Sequence, residues 1–185
     1  MGKLIFITGG ARSGKSTFAE KMAASGSDRI IYVATAKPID EEMRERIRMH
    51  QKQRSDAFVT VEGYSGIPGL IQEAGVLAGT VLIDCITLMV CNLMFDIIPD
   101  WDDMREEQVL AFEKRVEEEI TQIVQYAEET DKTVIVVTNE IGMGIVPGQA
   151  STRLYRDVAG RANQMLAGAS KEAYLMVSSL PIRIK

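Results

Sequence analysis

The chain has 185 residues, of which 46% are apolar and 25% charged, with a formal net charge of −5. That length fits one domain able to bury roughly 70% of the surface its unfolded chain exposes. The acidic balance argues against a nucleic-acid or anionic-membrane partner, and a single histidine with two cysteines leaves no ligand set for a structural zinc site.

Apolar, β-branched runs alternate with stretches of helical period, which predicts an α/β domain built on a mainly parallel sheet flanked by helices. The spacing predicts a strand over 3–8, a helix over 15–25, a strand over 30–34, a helix over 40–54 and a strand over 58–62. A weaker helix over 68–78, a strand over 81–84 and an apolar helix reaching residue 95 follow. A long helix over 102–129 carries Val109, Phe112, Val116, Ile120, Ile123 and Ala127 at helical spacing, which marks one face for the core. The β-branched run 133–138 reads as a strand buried on both faces. A loop holding Gly142, Gly144, Pro147 and Gly148 leads to a helix over 151–167, and strands over 173–177 and 182–184 close the chain.

No repeat, low-complexity segment or linker interrupts this order, so residues 1–185 are expected to form a single domain. The four-residue apolar run before the first glycines is too short for the core of a signal peptide. The longest apolar region, 81–98, is broken by Asp84, Asn92 and Asp96, so no membrane span is expected. The cytoplasm is the expected compartment, with Cys85 and Cys91 as reduced thiols.

The most informative stretch is Gly9-Gly10-Ala11-Arg12-Ser13-Gly14-Lys15-Ser16. It matches G-x-x-x-x-G-K-[ST] and lies between a predicted strand and a predicted helix, the context that a phosphate-binding loop requires. Glycines let the backbone curl until successive N–H groups point at phosphate oxygens. Lys15 supplies a point charge for the β- and γ-phosphates, and the Ser16 hydroxyl is placed to ligate Mg²⁺. The helix that follows aims its positive end at the same anion. These residues predict a nucleoside triphosphate as ligand.

Val81-Leu82-Ile83-Asp84 is an apolar strand ending in a carboxylate. Asp84 fits a second metal contact, directly or through water, or else the cap of the next helix. The segment from Asp40 to Arg54 carries acids in its first turn and bases later, as a solvated helix complementing its own dipole would. Within it Arg46, His50 and Arg54 recur every four residues and so share one face. A neutral imidazole flanked by guanidinium groups is a competent nucleophile toward phosphorus, and a plain surface histidine fits the same pattern.

The chain resembles the bifunctional adenosylcobinamide kinase / adenosylcobinamide-phosphate guanylyltransferases of cobalamin biosynthesis. The resemblance runs from Ile7-Thr8-Gly9 through Tyr32-Val33-Ala34-Thr35-Ala36, the Glu42-Met43 … Arg46-Ile47 … His50 segment, and Leu82-Ile83-Asp84-Cys85. It continues through Asn139-Glu140-Ile141-Gly142-Met143-Gly144-Ile145-Val146-Pro147 to Tyr155-Arg156-Asp157-Val158-Ala159-Gly160-Arg161-Ala162-Asn163-Gln164. It implies a RecA-like phosphate-loop fold and two reactions. ATP or GTP phosphorylates the aminopropanol hydroxyl of adenosylcobinamide, and GMP from GTP is then joined to that phosphate. By similarity His50 becomes guanylylated, and Lys15 serves the phosphoryl transfer. The nucleotide site would comprise Gly9 through Ser16, Ala34, Thr35, Ala36, Gln51, Lys52, Gln53, Arg54, Glu62 and Asp84. Family members are commonly homotrimers, so a homo-oligomer is expected.

Two other readings compete. A monofunctional small-molecule kinase shares everything except covalent chemistry at His50. A nucleotide-dependent switch would bind nucleotide without turning over a cobinamide, but the chain has no Asn-Lys-x-Asp guanine-reading motif.

Overall fold

The computed structural model describes residues 2–37, 41, 45 and 55–185. In chain order the elements are β1 (Lys3–Gly9), α1 (Lys15–Gly26), β2 (Ile30–Ala34), β3 (Phe58–Glu62), α2 (Ile67–Glu73) and β4 (Thr80–Asp84). They continue with α3 (Ile86–Ile97), α4 (Glu106–Glu129), β5 (Thr133–Val137), α5 (Ala150–Ala169), β6 (Glu172–Val177) and β7 (Leu180–Arg183). The strands form one seven-stranded sheet in the order β3-β2-β4-β5-β1-β6-β7. Every adjacent pair is parallel except β6 and β7.

Side chains alternate across each strand, and both faces are apolar because helices cover both. Leu4, Phe6, Ile31, Val33, Val81, Ile83, Val134 and Val136 pack with Ile67, Met89, Phe112, Ile120 and Leu166 from α2 to α5. Ile5, Ile7, Ile30, Tyr32, Leu82, Ile135 and Val137 meet Ala19 and Ala23 of α1 on the other face. Burying each large apolar side chain contributes about 1.5–3 kcal/mol. Small alanines on α1 let that helix lie close to the sheet, directly behind the loop that starts it.

Strands β2 and β3 have the predicted bounds. The helix predicted over 68–78 is shorter, because Gly75 adopts φ +63° and its N–H closes on Gln72 O, ending α2 at Glu73. The long helix begins at Glu106 rather than 102. Asp100 Oδ1 first accepts the N–H groups of Asp102 and Asp103 in a turn, and Arg105 N–H then donates to Gln108 Oε1 at 3.1 Å. The last two strands form a hairpin whose two turn residues, Ser178 and Ser179, both have positive φ. Of the helix predicted over 40–54, Glu41 and Glu45 are helical, and the rest lies outside the described residues. None of the described helices is long and apolar enough to cross a membrane.

Candidate active site

Strands β1 to β6 all run the same way, so their C-terminal ends share one edge of the sheet, where open α/β sheets bind ligands. The loop between β1 and α1 sits on that edge. Gly9 has φ +152°, and a Cβ there would lie 2.5 Å from Met176 O. Arg12 takes φ +55°, and Gly14 takes φ +89° with Ser179 Oγ 2.8 Å from where its Cβ would be. Ser179 N–H also donates to Ser13 O at 2.9 Å, so the β6–β7 turn braces the loop from one side.

Lys15 is 7% exposed, and its ammonium donates to Gly10 O at 2.6 Å and to Ser13 Oγ at 3.5 Å. The positive charge is thus held under the loop, beside the N-terminal turn of α1, the end of a helix that favours anions. Ser16 follows on the first turn of α1, half-buried.

Three more of the predicted residues lie at the ends of neighbouring strands along the same edge. Glu62, Ala34 and Asp84 are register partners across β3, β2 and β4, and Asp84 in turn pairs with Val137 of β5. Asp84 Oδ2 accepts the Tyr32 hydroxyl at 3.0 Å. The cap of α3 is Cys85, with no side-chain cap bond, so Asp84 does not serve as the helix cap that its sequence position also suggested.

Thr35 is buried and locked to the start of α3. Its Oγ1 accepts Cys85 N–H and donates to Cys85 O, both at 2.7 Å, while Asn92 Nδ2 donates to Thr35 O at 2.8 Å. One residue past Ala36, Lys37 pairs with Asp96 at 3.0 Å and stands 4.3 Å over the Tyr64 ring. Glu62 is exposed and lies four strand spacings from β1, about 19 Å. His50, Gln51, Lys52, Gln53 and Arg54 lie outside the described residues.

A polar cluster whose residues carry the family resemblance, but to which the sequence assigns no chemical role, joins the loop after β5, α5 and the β4–α3 turn. Glu140 N–H donates to Gly9 O at 3.1 Å, and Glu140 Oε1 accepts Thr8 Oγ1 at 2.7 Å and Asn163 Nδ2 at 3.2 Å. Asn139 Nδ2 donates to Thr87 Oγ1 at 2.7 Å, and Tyr155 donates its hydroxyl to Thr87 O at 3.0 Å. Cys85 Sγ lies 3.2 Å from Thr87 Oγ1, and burial, with the Asp84 charge adding to it, pushes this thiol up to about 11. It is therefore protonated at neutral pH and no nucleophile. The sequence signal for this cluster is the motif over 139–147, which marks the stretch without saying which of its side chains meet Thr8 and Asn163.

A phosphate-binding loop opening a parallel sheet, with an acidic residue ending another strand of that sheet, defines a protein of the phosphate-loop kinase and NTPase class. A solved structural-study target from Pyrococcus horikoshii OT3 has this fold, with a TM-score of 0.51 at 7% identity over 100% of this chain and 86% of that one. The chain belongs to the family described as cobinamide kinase / cobinamide phosphate guanyltransferase, whose profile matches residues 5–184. It is 40% identical over 182 residues to the bifunctional adenosylcobalamin biosynthesis protein CobU of Escherichia coli (strain K12), covering 98% of this chain and 99% of that protein. The CobU of Salmonella typhimurium (strain LT2) is 37% identical over the same shares. The bifunctional adenosylcobalamin biosynthesis protein CobP of Pseudomonas aeruginosa is 31% identical over 97% of this chain and 95% of its own length.

Proposed function

We propose that this chain, as one nucleotide-binding domain, catalyses two successive transfers. ATP or GTP first phosphorylates the aminopropanol hydroxyl of adenosylcobinamide. GTP then guanylylates the new phosphate to give adenosylcobinamide-GDP and pyrophosphate. The braced loop from Gly9 to Ser16, with its buried Lys15, is the observation that carries this reading.

In the kinase step, loop N–H groups and the Lys15 ammonium hold the β- and γ-phosphates and spread the charge that develops during transfer. Ala34, Thr35, Ala36, Glu62 and the stretch Gln51, Lys52, Gln53 and Arg54 complete the nucleotide site in this reading. The pinning of Thr35 by Cys85 and Asn92 supports a rigid wall at 34–36. Mg²⁺ fits the Ser16 hydroxyl and the Asp84 oxygen that Tyr32 leaves open, a set of hard oxygen donors too small to hold the ion without phosphate. When bound with the triphosphate, the ion would neutralise charge on the phosphate oxygens.

The second step runs through His50. The imidazole attacks the α-phosphorus of GTP, pyrophosphate leaves, and the phosphate of the acceptor then displaces the imidazole. A cytoplasmic homotrimer is part of the same reading.

The test uses GTP labelled at the α-phosphate. Label should stay on the denatured protein in alkali, be lost in acid, and be absent from His50→Ala, which keeps its kinase activity. A wild-type protein that retains no label yet still phosphorylates cobinamide would leave the kinase alone.

A further inference from the structure

The two acceptors differ in one respect that bears on the active site. The phosphate that accepts GMP is already ionised near neutral pH, whereas the alcohol that accepts the γ-phosphoryl group carries a proton it must lose. A base is needed for the kinase step only. We propose, resting on the kinase reading above, that Glu140 is that base.

Strand order narrows the choice. Only β5 and β6 flank β1, the strand that leads into the phosphate loop. Past the end of β6 come Ser178 and Ser179, whereas past the end of β5 comes Glu140. Its N–H donates to Gly9 O at 3.1 Å, which puts its backbone one hydrogen bond from the first residue of the loop. Asp84 stands on β4, with β5 between it and β1, and Glu62 is two strands further out.

The carboxylate itself is half-used. Oε1 is held by Thr8 Oγ1 at 2.7 Å and Asn163 Nδ2 at 3.2 Å, and Asn163 is oriented in turn by Thr138 Oγ1 on its Oδ1 at 2.8 Å. The bonds from Thr8 and Asn163 both fall on Oε1 and none falls on Oε2 among the described residues, and Glu140 is half-buried. The structural carboxylate of this fold looks different. Glu119 is 0% exposed, and both of its oxygens are bonded. One oxygen fixed and one free is the arrangement that a base requires, because the fixed oxygen sets the orientation and the free one takes the proton.

In the step so assigned, the alcohol oxygen forms its bond to the γ-phosphorus as the bond from that phosphorus to the β,γ-bridging oxygen breaks. ADP or GDP leaves with the electron pair. The alcohol proton passes to Glu140 Oε2 and from there to solvent.

Glu140→Gln tests this without dismantling the cluster, since the amide oxygen can still accept from Thr8 and Asn163. Two assays are run on the purified full chain: ATP with adenosylcobinamide, and GTP with chemically supplied adenosylcobinamide phosphate. The kinase kcat should fall about 10²- to 10⁴-fold, the usual contribution of a positioned base. KM for ATP and the rate of guanylyl transfer should hold. The acid limb of the kinase pH profile should vanish in Glu140→Gln, and Glu140→Asp should recover part of the rate. Parallel loss of both activities would mean that Glu140 only braces the fold, and kinase turnover near the wild-type level, or a surviving acid limb, would equally overturn the assignment. A wild-type chain with no kinase activity at all would instead sink the kinase reading, and this inference with it.

Discussion

Glu119 offers a sharp test of how this fold is held together. It lies on α4 and its carboxyl side chain is wholly buried. Its carboxylate accepts Gly66 N–H at 3.1 and 2.9 Å, accepts the Ser65 hydroxyl at 2.8 Å, and pairs with Arg115 one turn earlier at 2.5 Å. Gly66 is the N-cap of α2, and Glu119 from another helix accepts its backbone N–H, the part that a Glu or Gln at the third helical position plays in a capping box and that Gly69 there cannot. Glu119→Ala leaves a half-buried N–H unpaired, at about 1–3 kcal/mol, and removes one packed methylene, at about 0.8 kcal/mol. Breaking a fully buried ion pair costs about 3–5 kcal/mol, but the Arg115 side chain is 39% exposed and can turn to water, which discounts that term heavily. We expect a net loss of about 3 kcal/mol for alanine and roughly half that for Glu119→Gln, which keeps one acceptor. Urea denaturation should show the midpoint falling by about 1–2 M at unchanged slope. Amide exchange should locate the first loss of protection in α2. A loss below about 1 kcal/mol for alanine would refute the reasoning, because it would mean that water reaches the Gly66 N–H at no cost.

Gly14→Ala forces a side chain into φ +89° and brings its Cβ to 3.1 Å from Ser179 Cα, a backbone contact that cannot swing away. The left-handed conformation alone costs about 1–2 kcal/mol, so we expect GTP affinity by calorimetry to drop at least about tenfold, and unchanged affinity would break the link between loop shape and phosphate binding. For pH, Glu172 is the informative group: hydrogen bonds from Lys3 at 2.5 Å and Tyr174 at 2.7 Å hold its carboxyl below the usual range. A folded-state value below the unfolded one gives stability that is present above the ordinary glutamate range and lost as pH falls through the lowered value. Both side chains are partly exposed, so the contribution is at most about 1 kcal/mol. Glu172→Gln should erase that part of the acid sensitivity in thermal melts between about pH 5 and 3, and identical profiles for variant and wild type would count against it.

What could be read from the sequence was local. The phosphate loop carries its chemistry within eight consecutive residues, and β2 and β3 are β-branched runs with abrupt ends, so their bounds needed no tertiary information. The apolar face of α4 was equally legible, with Phe112, Val116, Ile120, Ile123 and Ala127 all buried. Glu119 was not, because a carboxylate among the charges of an amphipathic helix looks like any other until Gly66, 53 residues away, comes to rest against it. Ser179 is similar, since only the hairpin turn brings it under Gly14.

Strand order is the clearest case. Reading along the chain, Asp84 is the carboxylate that ends a strongly apolar strand and so attracts the metal assignment, while Glu140 looks like the opening of a glycine loop. Folding inserts β5 between β1 and β4 and thereby exchanges their positions: Glu140 comes to stand beside the phosphate loop, bonded to a threonine 132 residues earlier, while Asp84 moves one strand further off. Periodicity carries no information about which strand lies beside which, because a parallel sheet buried on both faces presents the same β-branched pattern at every interior position. The division of labour proposed here, with Asp84 at the metal and Glu140 at the proton, depends on that insertion.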